Sequence, residues 1–95
     1  MESPQVAERQ LIDEATGASI SVTVAQPQYE AEGGWSCRVA IREGDRAEEL
    51  SAYGEDSLQA LLLAVSMLRA HLTAGQRVRR LTWLGDPDLG LDLVL

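Results

Sequence analysis

A period of two governs the hydrophobic and polar positions in the first half of the chain. The stretch ASISVTVA places Ile20, Val22 and Val24 on one face of a strand. The stretch WSCRVAIR repeats the pattern with Trp35, Cys37, Val39 and Ile41. Such alternation is typical of strands that bury one face. We therefore predict two half-buried strands, and a short strand before them, near Glu8–Ile12, that forms a hairpin through the turn residues Thr16 and Gly17.

Turn-forming residues delimit the remaining strands. Pro27 is predicted to end the second strand and to open a polar loop that closes at Gly33 and Gly34. Gly44 and Asp45 predict a tight hairpin turn. The run from 46 to 53 alternates poorly, which indicates an edge strand or a bulge. Residues 1–6 are predicted to be a frayed terminus.

The period changes to 3.6 residues after Gly54, which predicts a helix. Asp56 is a suitable N-cap, and Gln59 can complete a capping box. Gly75 suits the C′ position, so the helix is expected to end near Thr73 or Ala74. Six apolar residues fall on one stripe and are predicted to face the sheet: Leu58, Leu61, Leu62, Val65, Leu68 and Leu72.

The same helix has a second apolar side, formed by Ala60, Leu63, Met67 and Ala70. Leu63 and Met67 are four residues apart and so lie on one face. Three interpretations remain open. The C-terminal segment folds over this side, two copies of the helix pack across a twofold axis, or the side binds a different protein or is left in water. We favour a protein contact, with either a homodimer or another protein as the partner.

These elements predict a single α+β domain over residues 1–95. The expected architecture is an antiparallel meander of about four strands with one long helix packed on one face. A short C-terminal strand at Leu81–Leu84 closes it. A chain of 95 residues buries too little surface to support two cores.

Composition narrows the range of partners. The net charge of −7 argues against nucleic acid and anionic membrane surfaces as partners, because binding phosphates needs clustered basic residues. The N-terminal segment does not have the pattern of a signal peptide, and the longest apolar run, 60–65, is too short to span a bilayer. All eight basic residues are Arg, which favours a GC-rich bacterial genome. The lone Cys37 fits a reducing compartment, so we expect a cytoplasmic protein.

The sequence contains no recognisable catalytic, cofactor or metal site. His71 is the only histidine and is interpreted as a structural residue near the helix C-terminus. Cys37 is interpreted as a small buried hydrophobe. The spacing of Asp86, Asp88 and Asp92 does not match a calcium loop and indicates a turn. The cluster of Arg77, Arg79 and Arg80 is interpreted as solvated.

The alternative to a protein-interaction module is a small-ligand or nucleic-acid binder. It would use the outer sheet face around Arg38 and Arg42, which share one side of the third predicted strand. We expect the protein to be non-enzymatic in either case.

Three stretches, GGWSCRVAI, YGEDSLQALLLAVSMLRAHL and LTWLGDPDLGL, carry a family resemblance. They are similar to a family of small bacterial proteins described only as a domain of unknown function, with a W-x-C strand, a G-x-D-S-x-Q-A-L helix start and a W-L-G close. The order of elements also resembles, more loosely, the HicB-type antitoxin domains, at Gly54, Ser57 and Ala60. That second resemblance implies an immunity-like or toxin-neutralising role.

Overall fold

The computed structural model describes residues 4–91, which form one antiparallel sheet and one helix. The elements follow in the order β1 (Gln5–Asp13), β2 (Ala18–Ala25), β3 (Gln28–Glu30), β4 (Gly34–Glu43), β5 (Arg46–Gly54), α1 (Ser57–Gly75) and β6 (Leu81–Thr82). The predicted α+β class is confirmed, with more strands than the expected four. The closing strand is confirmed at its first two residues.

The sheet has β2 at its centre and β5 at one edge, next to β4. β2 and β1 follow β4 on the other side, and β6 pairs with the far side of β1. β5 pairs with β4 in an unbroken antiparallel register, so the predicted edge position is confirmed and there is no bulge in this ladder. The turn between them contains Gly44 at φ 59°, as a tight two-residue hairpin requires.

The predicted loop after Pro27 is partly wrong, because Gln28–Glu30 forms strand β3. This short strand pairs with the stretch of β4 that follows the turn. Tyr29 stands opposite Trp35, and their rings meet edge to face with centroids 5.7 Å apart. Pro27 therefore interrupts the pairing with β4 between β2 and β3 without ending it. The cross-strand pair of Tyr29 and Trp35 favours this continued pairing.

The N-terminal strand is longer than predicted. β1 begins at Gln5, inside the segment expected to be frayed, and pairs with β2 from Gln5 onward. The amide of Gln26 donates to the Pro4 carbonyl at 2.7 Å, which extends the pairing. Residues 1–3 of that segment lie outside the described residues.

The core lies between the inner face of the sheet and the helix. The alternation in β2 and β4 is confirmed, because Ile20, Val22, Val24, Cys37 and Val39 are all at least nine-tenths buried. Leu11 of β1 and Leu89 of the C-terminal segment complete this face. The buried hydrophobic residues are aliphatic apart from Cys37, and Trp35 and Trp83 pack against them half-buried.

The rotation of α1 about its axis differs from the prediction. Ala60 and Ala64 are fully buried, and they lie with Leu68 and Leu72 at the centre of the face that meets the sheet. Leu58, which was predicted to face the core, is 61% exposed. The alanines take the centre because the helix lies very close to β5. A Cβ atom on Gly54 would come within 2.5 Å of the Ala60 backbone nitrogen.

The N-terminus of α1 is capped as predicted. The Asp56 side chain accepts a hydrogen bond from the Gln59 amide at 2.7 Å. The Gln59 side chain in turn accepts from the Glu55 amide, which closes a variant of the capping box one residue earlier. The predicted end is wrong by about one residue, because Gly75 is helical and Gln76 is the C-cap in a right-handed conformation.

A buried carboxylate joins three parts of the chain around β6. Asp13 is 4% exposed and accepts hydrogen bonds from Arg79 Nε at 3.0 Å and from the Ala15 amide at 3.0 Å. Arg79 also donates to Glu43 at 2.7 Å. Burial by itself raises the pKa of Asp13, but the hydrogen bonds from Arg79 and the backbone amides outweigh it and hold that pKa below its usual value.

The C-terminal segment is fixed to β1 by Arg9. Its guanidinium stacks on the Trp83 ring at 3.8 Å and donates to the Leu89 carbonyl at 2.8 Å. Earlier in this segment, Trp83 and Asp86 exchange two backbone hydrogen bonds around a turn formed by Leu84 and Gly85. Both turn residues have positive φ, as a tight two-residue turn requires, and this turn lies just before Asp86 and Pro87.

Candidate interaction surface

The structure separates the four residues predicted to form the second apolar side of the helix. Ala60 is fully buried against Gly54, so its assignment to an interface is wrong. Met67 is half-buried and packs against the core. Leu63 is 44% exposed and Ala70 is exposed. We use the name helix flank for Leu63, Met67 and Ala70.

The helix flank lies on the β5 side of the molecule. The opposite side of the helix, at Val65, Leu68 and Leu72, borders an apolar groove of 190 Å³ above β1 and β2. Ala60 and His71, in contrast, meet β5 at Gly54 and Glu48. Around the helix axis, at 100° per residue, Ala60 and His71 lie between Val65 and the helix flank. It therefore faces outward past the edge of the sheet.

Strand β5 leaves its outer edge unpaired within residues 4–91. It is nine residues long and, in the described part of the chain, pairs only with β4. It contains no proline and no bulge, and its charged residues are Arg46, Glu48 and Glu49. A long, regular edge of this kind is a template on which another strand can pair.

One charged side chain on the inner face of β5 is paired with the helix. His71 Nε2 lies 3.0 Å from a carboxylate oxygen of Glu48. An inward-pointing charge commonly discourages edge pairing, but this one already has a partner in its own chain. His71 is thus a link between α1 and β5, through a carboxylate that its place in the last turn of the helix did not predict.

The C-terminal segment does not cover the helix flank within the described residues. Residues 87–89 and Leu91 lie beside Arg69, Thr73 and Gln76, on the other side of the helix. Gln76 fixes this segment by donating to the Pro87 carbonyl at 2.8 Å. The interpretation in which the tail shields Leu63 and Met67 finds no support in residues 4–91; residues 92–95 lie outside the described residues.

The outer face of the sheet has a shallow polar hollow of 360 Å³ around Arg38 and Arg42. Its floor is made of small residues, among them Ser21, Thr23 and Ala40. In the part of the chain that the structure describes, neither guanidinium forms an ion pair. Glu49 and Glu8 also line the hollow, so its charge is mixed.

The other candidate residues have structural contacts. Cys37 is 1% exposed, its thiol donates to the Ala25 carbonyl at 3.4 Å, and burial raises its pKa, which favours an inert hydrophobe. Asp86 and Asp88 accept hydrogen bonds from the amides of Asp88 and Gly90, as residues of consecutive turns do. Residues 4–91 contain no cluster of His, Cys, Asp and Glu that could hold a metal ion.

The helix is more apolar than its contact with the sheet requires. By length and composition it could cross a membrane, with a mean hydropathy of 1.3 over 18 residues, yet only 22% of those residues are buried. Its packing against β4 and β5 identifies it as the core helix of this fold. Two large apolar side chains of this helix, Leu58 and Leu63, nevertheless remain exposed.

The fold and its surfaces define a small α+β domain with one helix on an open antiparallel sheet. The chain belongs to the family DUF6968, a domain of unknown function, whose model matches residues 7–93. This confirms the predicted resemblance to such a family. No curated protein and no solved structure matches the chain.

Proposed function

We propose that this domain is a non-enzymatic protein-interaction module that associates with a second copy of itself through the helix flank. The observation that carries the proposal is the exposure of Leu63 on a helix that is apolar almost all round. Burial of a leucine at such a position would stabilise the association by about 25 cal/mol for each Å² of apolar surface removed from water.

Small residues beside Leu63 favour close packing of a second helix. Ala70 is exposed on the same flank, and Ala74 follows it one turn later. Residues 57–68 of the helix contain no charged side chain, so an apolar contact there requires no ion to be desolvated. An antitoxin-like role, as the HicB resemblance implies, would add a further partner protein to this dimer.

Leu63→Glu is expected to weaken self-association by at least about a hundredfold. Each copy would bring a carboxylate into the apolar contact, where an unpaired charge is costly. Leu63 is a better position than Met67 because Met67 also packs against the core of its own chain. The measurement is sedimentation equilibrium over a range of protein concentrations.

Val78→Glu is the matched control. It adds the same charge at an apolar residue that is 87% exposed in the loop after the helix. The control is expected to associate like the unmodified protein, and both variants should melt normally. Equal association of Leu63→Glu and Val78→Glu would contradict the proposal.

A second candidate function uses the hollow on the outer sheet face. We propose it because Arg38 and Arg42 stand above hydroxyl-bearing residues without ion-pair partners among the described residues. An anionic ligand or single-stranded nucleic acid would then bind with a steep salt dependence. A short oligonucleotide is the probe: Arg38→Ser should weaken its binding and reduce the salt slope by about one. Absence of binding at low salt would exclude nucleic acid.

A further inference from the structure

We infer that the second copy joins by pairing its β5 with β5 of the first, so that two sheets become one continuous sheet across a twofold axis. This inference rests on the proposed function and names the contact that accompanies the helix flank. Two independent features, the unpaired edge and the helix flank, lie on the same side of the molecule.

The hairpin geometry identifies which backbone groups of β5 point outward. The closing pair of a two-residue hairpin, here Glu43 and Arg46, exchanges both hydrogen bonds, and the pattern alternates from there. Every second residue therefore directs its N–H and C=O away from β4: Ala47, Glu49, Ser51 and Tyr53. These groups are available to a second antiparallel strand.

The length and the charges of β5 together favour the register centred on Leu50. With the twofold axis at Leu50, all nine residues pair, Glu49 stands opposite Ser51 of the second copy, and Glu48 stands opposite Ala52 of the second copy. An axis at Glu48 or Glu49 would place that glutamate opposite itself, which is destabilising. In the register centred on Leu50, the half-buried Leu50 side chains of the two copies lie opposite each other beneath the helices.

The spacing of strands places the two helices at packing distance. α1 lies over β4 and β5. Strands in a sheet are about 4.8 Å apart, so the helix axis lies roughly 5 Å from the twofold axis. The two helix axes are then about 10 Å apart, at the upper end of the range for packed helices. The helix flank of each copy faces that of the other across this gap.

Ser51→Pro tests the strand pairing directly. Proline removes one outward N–H of β5, whereas edge positions whose N–H faces solvent tolerate it. Ser51→Ala is the matched control, since it removes the same hydroxyl and keeps the N–H. We expect Ser51→Pro to weaken dimerisation at least about tenfold and Ser51→Ala to leave it unchanged, with both variants folded by circular dichroism.

A disulfide test does not depend on how proline is tolerated. In the Leu50 register, residues 49 and 51 of opposite copies form a hydrogen-bonded pair with Cα atoms about 5.5 Å apart, within reach of a disulfide. The double variant Glu49→Cys with Ser51→Cys should form covalent dimers on oxidation. Glu49→Cys alone should not, because its two copies would be about 8 Å apart. The native Cys37 is buried and does not compete.

The outcomes separate this inference from the proposed function. Covalent dimers from the double variant only, with dimerisation weakened by Ser51→Pro, support the strand pairing. A dimer that is sensitive to Leu63→Glu but forms no disulfide and is indifferent to Ser51→Pro overturns the strand pairing and leaves the helix contact in place. An unmodified protein that is monomeric at all concentrations overturns both.

Discussion

Gly54→Ala is expected to lower the free energy of unfolding by about 3 kcal/mol or more. The new methyl group would lie 2.5 Å from the Ala60 nitrogen and 3.0 Å from its Cα, and these are backbone atoms that cannot rotate away. The start of the helix would have to move from the sheet, which would loosen the contact of Ala60 and Ala64 with β5. Urea denaturation measures the change.

Gly33→Ala is the control for this substitution. Gly33 lies in the turn between β3 and β4, it has no atom within 4 Å of the added Cβ, and its φ is not in the left-handed region. The change should be close to neutral, or should stabilise the protein by about 0.4–1 kcal/mol because alanine reduces the conformational entropy of the unfolded chain. Equal effects of the two substitutions would mean that the helix does not lie against Gly54.

Asp13→Asn is expected to lower the melting temperature at neutral pH and to remove the part of the acid sensitivity that comes from Asp13. The folded-state pKa of Asp13 is below its unfolded value, so the unfolded chain binds the proton more readily. The stabilisation from Asp13 is therefore complete above the unfolded pKa of about 3.9 and is lost as the pH falls through the lower folded pKa. Melting curves between about pH 2 and 7 measure it.

Asp45→Asn provides the comparison for Asp13. Asp45 is an exposed residue of the β4–β5 turn, and its substitution removes the same charge. Its melting curves should follow those of the unmodified protein across the acid range. If Asp13→Asn shows the same slope with pH as Asp45→Asn, the contacts with Arg79 and the amides of Ala15 and Arg80 do not govern acid stability.

Strands with clean alternation could be predicted from the sequence, whereas the setting of the helix could not. Val22 and Val39 are buried where a period of two places them. On α1 the apolar residues extend almost all round, so periodicity does not decide which stripe meets the sheet. Contact with Gly54 decides it, and that contact depends on how closely α1 folds back onto β5, which the hydrophobic pattern does not show.

The candidate surface was predicted only in part, because the sequence does not show which side of α1 meets the sheet. Leu63 and Ala70 were predicted to be available for a partner, and they are exposed. Ala60 was assigned to the same side because alanine is apolar, although its small size suits it better to a close helix–sheet contact. That the helix flank lies beside the outer edge of β5, which is unpaired within residues 4–91, could not be inferred from the sequence, because the position of α1 over β5 is a tertiary feature.

The most direct test of self-association is sedimentation equilibrium of the unmodified protein over a wide concentration range. The proposed dimer predicts a mass that rises with concentration to twice the chain mass of 10.3 kDa. A mass that stays at 10.3 kDa at every concentration would contradict it.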